Sequence, residues 1–114
     1  MQRRCAKSAS EAADEDAVGE GEENELHQAI IAELRRLLVL HIHSRTDRPT
    51  TQANGIPDFV LFPDHKPVIF IECKTRVGKL STEQKAFQFM AELAGYRFEV
   101  VRSMSRFMEI EKDL

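Results

Sequence analysis

The stretch Gly55-Ile56-Pro57-Asp58-Phe59-Val60-Leu61-Phe62-Pro63-Asp64-His65-Lys66-Pro67-Val68-Ile69-Phe70-Ile71-Glu72-Cys73-Lys74 decides the fold. Residues 57–62 and 68–74 are two short runs dominated by aromatic and branched apolar side chains. Pro63 to Pro67 between them is the punctuation of a hairpin loop. Both runs are almost continuously apolar, which implies a sheet covered on both faces.

A five-residue loop sets Phe62 opposite Val68. Counting outward along both strands then sets Asp58 opposite Glu72. Side chains alternate faces along a strand, so Lys74 shares a face with Glu72 in any register, and Asp58 joins them in this one. Opposed residues hold their Cβ atoms about 4.5–5.5 Å apart. A slip of one residue would send Asp58 to the other face.

Opposed carboxylates repel, and burying them at the end of apolar strands is costly without a cation. A hard divalent ion such as Mg²⁺, with oxygen ligands at about 2.0–2.1 Å, removes the conflict. Such an ion polarises a phosphoryl oxygen and lowers the pKa of a bound water. Lys74 beside it is placed to orient that water or stabilise charge growing on a phosphate. The Cys73 side chain points to the opposite face, but its backbone carbonyl lies between Glu72 and Lys74 and offers one more oxygen. The thiol is too embedded in the strand to be a nucleophile.

Working outward, residues 75–80 form a loop containing Gly78. Ser81-Thr82-Glu83-Gln84 has the capping-box pattern, so a helix begins at Ser81. Ala86, Phe87, Met90, Leu93 and Ala94 make its apolar stripe, Gly95 ends it, and Phe87, Phe89 and Met90 read as core. Residues 96–101 form a fourth strand and 104–111 a short closing helix. Upstream, Leu26, Ile30, Leu34 and Leu37 mark an amphipathic helix over 23–37. Residues 38–44 alternate as a strand, with His41 and His43 on one side, and 45–55 are a polar loop. The order α-β-β-β-α-β-α gives the fold class α/β, a mixed central sheet flanked by helices.

The chain has 114 residues, 42% hydrophobic and 31% charged, which suits a single globular domain. No apolar run reaches the roughly 20 residues of a membrane span, and no apolar leader segment is visible. Two cysteines make no disulfide framework and imply a reducing compartment, cytoplasmic or nuclear rather than secreted. The net charge of −3 hides a division: residues 1–25 carry −5 and residues 26–114 carry +2. Residues 1–21 read as a disordered acidic tail and 22–114 as the domain. A mildly basic body permits nucleic-acid binding without demonstrating it.

Gly55-Ile56-Pro57-Asp58, Glu72-Cys73-Lys74 and Ser81-x-x-Gln84 together resemble the PD-(D/E)xK nuclease superfamily, and within it the virus-type replication-repair nuclease (VRR-Nuc) group. Residues 23–103 follow that group's order of elements. Each motif is short. Their 14-residue offset, the hairpin between them and the serine–glutamine pair make the combination specific. The resemblance implies a restriction-endonuclease-like core. It implies Mg²⁺ or Mn²⁺ held by Asp58, Glu72 and the Cys73 carbonyl, catalysis by Lys74, and an additional acid from the first helix. Glu23, on the stripe of Leu26 and Ile30, is our choice for that acid; Glu25 is the runner-up. Gln84 is a catalytic-site candidate or only the partner of Ser81 in the cap. Members that stand alone resemble Holliday-junction resolvases acting as homodimers, so the resemblance implies a metal-dependent endonuclease on branched DNA.

Blander readings exist for each residue. An isolated Pro-Asp is an ordinary turn, and an isolated Glu-x-Lys an ordinary strand edge. His41 and His43 read as structural rather than functional. Arg45, Arg48, Arg76 and Lys79 flank the site as candidate phosphate contacts. For the whole chain, the alternative is a non-catalytic nucleic-acid-binding module that keeps the fold. A flap-type or restriction-type nuclease is a further option, although the length leaves little room for a base-reading subdomain.

Overall fold

The computed structural model describes residues 14–44 and 55–114. Seven elements follow in order: α1 (Glu23–Arg36), β1 (Leu40–His43), β2 (Phe59–Phe62), β3 (Ile69–Cys73), α2 (Thr82–Leu93), β4 (Arg97–Val101) and α3 (Met104–Glu111). The strands form one sheet in the order β1-β2-β3-β4. β1, β2 and β3 pair antiparallel, and β4 adds parallel to β3 after the α2 crossover. The sheet is mixed and flanked by helices, as the sequence implies.

The hairpin takes the register counted from its loop, with Phe59 opposite Ile71 and Leu61 opposite Ile69. Alternation then divides the sheet. Phe59, Leu61, Ile69, Ile71, Cys73 and Val101 join Leu26, Ile30 and Leu34 of α1 and Phe107 and Ile110 of α3 in the main core. Burying each Leu, Ile or Phe contributes roughly 1.5–3 kcal/mol. On the other face Phe70 meets Phe87 of α2 edge-to-face at 5.0 Å between ring centroids.

Two expectations about packing change. α2 turns Gln84, Phe87, Gln88 and Ala91 inward, while Phe89 and Met90, expected in the core, are exposed with Leu93. That rotation packs Phe87 against Phe70 and Phe98, buries Ala91 and lets Gln84 bond Glu72. β1 likewise presents His41 and His43 inward and leaves Leu40 70% and Ile42 55% exposed. It is one of the two edge strands of the sheet.

The expected acidic tail, residues 1–21, packs from Asp14 onward; residues 1–13 lie outside the described part. Val18 N–H donates to the Arg102 carbonyl at 2.7 Å, and Arg76 N–H donates to the Val18 carbonyl at 2.7 Å. The Ser103 hydroxyl donates to the Asp14 carboxylate at 2.9 Å, and Ala17 is buried. Composition marks this segment as polar, but its backbone and its aspartates bond the residues after β3 and β4 while Ala17 is buried.

Candidate active site

Asp58 stands one residue before β2, where the hairpin opens. Ser44, just past β1, holds the Pro57-Asp58 peptide with two bonds. Its N–H donates to the Asp58 carbonyl at 2.8 Å and its hydroxyl to the Pro57 carbonyl at 2.9 Å. On the other side Asp58 Oδ2 accepts the Cys73 N–H at 2.8 Å. The Asp58 carboxylate thus takes the N–H of the last residue of β3, past the end of its ladder with β2, and this bond fixes its position. Gly55 brings this loop against α2. Its φ is +88°, and a Cβ there would lie 2.7 Å from the Glu83 carbonyl oxygen, so only glycine fits.

Glu72 and Lys74 project from β3 as alternation requires. Lys74 Nζ lies 3.7 Å from Glu72 Oε2. The same oxygen accepts a hydrogen bond from Gln84 Nε2 at 2.9 Å. Gln84 is also the N3 residue of the α2 capping box, its Oε1 accepting from Ser81 N–H at 2.8 Å and its own N–H donating to Ser81 Oγ at 3.1 Å. The cap and the site contact are therefore both made, one by each end of the amide.

The first helix contributes two groups on one face. Glu23 and His27 are one turn apart, with His27 Nε2 3.7 Å from Glu23 Oε2 and 3.4 Å from Asp58 Oδ2. Glu25 is exposed on another side of the helix. His27 was not a candidate, although a histidine between Leu26 and Ile30 on a buried stripe was a legible signal. His43 joins it: Nε2 of His43 lies 3.3 Å from Nδ1 of His27, and the His43 ring stacks on Phe59 at 4.4 Å. His41 instead hydrogen-bonds the Val39 carbonyl.

Electrostatics single out Glu72. Burial, then the Asp58 charge, pushes its carboxyl up to about 8, against the pull of Lys74. Two opposing causes meet here, and desolvation outweighs the lysine at 3.7 Å. The Cys73 thiol is pushed well above its ordinary value by burial and stays protonated. Two buried polar atoms here have no partner among the described residues, Glu72 Oε1 and His27 Nε2. A buried carboxyl of raised proton affinity, Glu72, with buried and unsatisfied ligand atoms beside it, is the chemistry a divalent cation satisfies. His27, Asp58 and Cys73 have ligand atoms within 4.8 Å of one another.

The basic candidates separate. The Arg76 guanidinium donates to the Ala17 carbonyl and so is occupied within the chain. Lys79 is exposed, and Arg45 and Arg48 lie outside the described residues. No described helix is long and apolar enough to cross a membrane.

The VRR-NUC domain family matches residues 3–105. No curated protein and no solved structure matches the chain. With the match spanning nearly the whole chain, and with the hairpin, the Glu-x-Lys strand and the capped helix in their expected places, the chain belongs to the VRR-NUC domain family, a family of nucleases.

Proposed function

We propose that the chain is a metal-dependent, structure-specific DNA endonuclease that hydrolyses phosphodiester bonds at branched DNA such as a Holliday junction. The observation that carries this reading is the placing of Asp58 near enough to Glu72 for its charge to raise that carboxyl, with Lys74 beside Glu72 and His27 linking Asp58 to Glu23 of α1. Glu23, Asp58, Glu72 and the Cys73 carbonyl would hold Mg²⁺ or Mn²⁺, which when bound supplies Lewis acidity toward a phosphoryl oxygen and acidifies water. The chain's own groups do the rest. Lys74 places an ammonium where negative charge grows as water oxygen bonds to phosphorus and the ester P–O bond breaks. Gln84 holds Glu72 in one rotamer, and Asp58 is held by the Cys73 N–H.

A junction needs two symmetric cuts, so the working form is a homodimer. The exposed apolar stripe of α2, Phe89, Met90 and Leu93, supports it as a surface for a second copy to cover. A cleavage panel of four-way, flap and linear duplex DNA with Mg²⁺ or Mn²⁺ tests the proposal. Paired nicks in the four-way substrate, abolished in Asp58→Asn, are expected. Junction binding without metal-stimulated cleavage would instead favour the non-catalytic module.

A further inference from the structure

Four features of His27 go unused by the oxygen-ligand set above. It is 4% exposed, on the buried face of α1. Its Nε2 has no hydrogen-bond partner among the described residues. That atom points between two carboxylates, 3.4 Å from Asp58 Oδ2 and 3.7 Å from Glu23 Oε2. The other ring nitrogen is occupied by His43 Nε2 at 3.3 Å. A buried imidazole nitrogen left unsatisfied is costly, and structural histidines in cores normally use both nitrogens.

We propose that His27 Nε2 is a direct nitrogen ligand of the site's cation and biases the site toward a first-row transition ion such as Mn²⁺ over Mg²⁺. This rests on the metal-dependent nuclease reading and deepens it. The geometry suits a shared ion. Adjacent ligands of an ion at about 2.1 Å lie roughly 3 Å apart, and both observed separations are slightly wider. Imidazole is a donor that transition ions accept readily, whereas Mg²⁺ favours oxygen and surrenders its waters reluctantly. His43 is the outer partner that such a ligand needs. With Nδ1–H of His27 donating to His43 Nε2, the Nε2 lone pair faces the acids, and stacking on Phe59 holds the His43 ring in place. The Cys73 side chain is buried in the apolar core within 4.8 Å of the His27 and Asp58 ligand atoms, so any nitrogen signal must be assigned by labelling histidine.

The test is pulsed EPR on the Mn²⁺-loaded protein, with titration calorimetry for Mn²⁺ and Mg²⁺. The parent is expected to show ¹⁴N electron-spin-echo modulation on bound Mn²⁺, converted to the ¹⁵N pattern when histidine is ¹⁵N-labelled. His27→Gln should lose the modulation and bind Mn²⁺ at least about tenfold more weakly, with a smaller change for Mg²⁺. His43→Gln should keep the modulation. Mn²⁺ bound without nitrogen coupling in the parent, or coupling that survives His27→Gln, overturns this inference and leaves the nuclease reading standing. Should His27→Gln fail to fold, the labelled parent and His43→Gln together still decide the source of the nitrogen. No binding of either ion, or binding indifferent to Asp58→Asn, overturns the metal-dependent reading itself.

Discussion

Gln84 Nε2 donates to Glu72 Oε2 at 2.9 Å from a residue whose other amide atom closes the α2 cap. Glutamate at this position would cap the helix equally well, but would set a second carboxylate against Glu72. Gln84→Glu should therefore keep the helix and weaken the site, with poorer Mn²⁺ affinity and slower cleavage at near-parent stability. Gln84→Ala should lose the Glu72 contact and the side-chain half of the capping box, at a cost in stability of about 0.5–1.5 kcal/mol for the cap hydrogen bond. Denaturant unfolding and metal titration on both variants separate the two roles. Equal metal affinity in Gln84→Glu and the parent would reduce Gln84 to a cap.

Glu72 gives the metal-free protein a pH signature. Its carboxyl, raised to about 8 in the fold, starts from 4.5. Between those values the folded chain keeps a proton that the unfolded chain releases. The contribution of Glu72 is thus fully present below pH 4.5, declines as pH rises, and is gone above about 8. Without metal, melting temperature should fall across that window, and Glu72→Gln should flatten the fall. Added Mn²⁺ should stabilise more as pH rises, because it binds the ionised form. An identical pH profile for parent and Glu72→Gln would rule this out.

Gly55 is a backbone requirement. A Cβ there meets the Glu83 carbonyl at a separation real atoms do not adopt, and φ is positive. Gly55→Ala should cost on the order of 1–3 kcal/mol for the strained conformation, and more for the displaced loop. Because this loop carries Asp58, cleavage should fall further than the stability loss alone predicts. Unfolding midpoint and cleavage rate measured on the same preparation check both. Parent-like activity at reduced stability would show that the loop does not set Asp58.

How much of this was legible follows from which forces are local. Loop length and alternation are local properties, so the hairpin register and the convergence on Asp58 and Glu72 could be counted from the chain. The capping box was equally readable at Ser81 and Gln84, but its second use was not, because Glu72 lies 12 residues away. His27 was legible as a histidine on a buried helical stripe, but its contacts with β1 and the Pro57-Asp58 turn were not, because only the tertiary fold joins them. Hydrophobicity misassigned Phe89 and Met90 because the inward face of α2 is a mixed one, Phe87 and Ala91 with Gln84, which apolar periodicity does not pick out. The same criterion left Asp14 to Val18 as tail, since docking a short polar segment leaves no periodic pattern.

Lys74 separates binding from chemistry. Its ammonium lies 3.7 Å from Glu72, yet it contributes no oxygen to the proposed ion. Lys74→Ala should lower the cleavage rate by roughly 10²–10³-fold, the scale of losing one group aimed at developing charge. Mn²⁺ affinity should hold or rise, because a positive charge beside the ion is removed. Retained cleavage would remove Lys74 from the reaction, and lost Mn²⁺ binding would make it structural.

The apolar face of α2 carries the last expectation. Phe89, Met90 and Leu93 are 64%, 60% and 69% exposed, on a helix whose inward face is half polar. A monomer gains nothing by presenting three large apolar side chains along one stripe, whereas a symmetric partner would bury them against their own copies. The protein should sediment as a dimer, and Met90→Glu with Leu93→Glu should yield a folded monomer, since neither residue supports the core. That monomer should bind Mn²⁺ as the parent does and still nick flap DNA. On a four-way junction it should lose the paired, symmetric cuts and leave single nicks. Sedimentation velocity and a supercoiled cruciform assay, in which two coordinated cuts give linear product and one gives a nicked circle, read the two halves separately. Parent-like linear product from a proven monomer would show that pairing across α2 is not what coordinates the cuts.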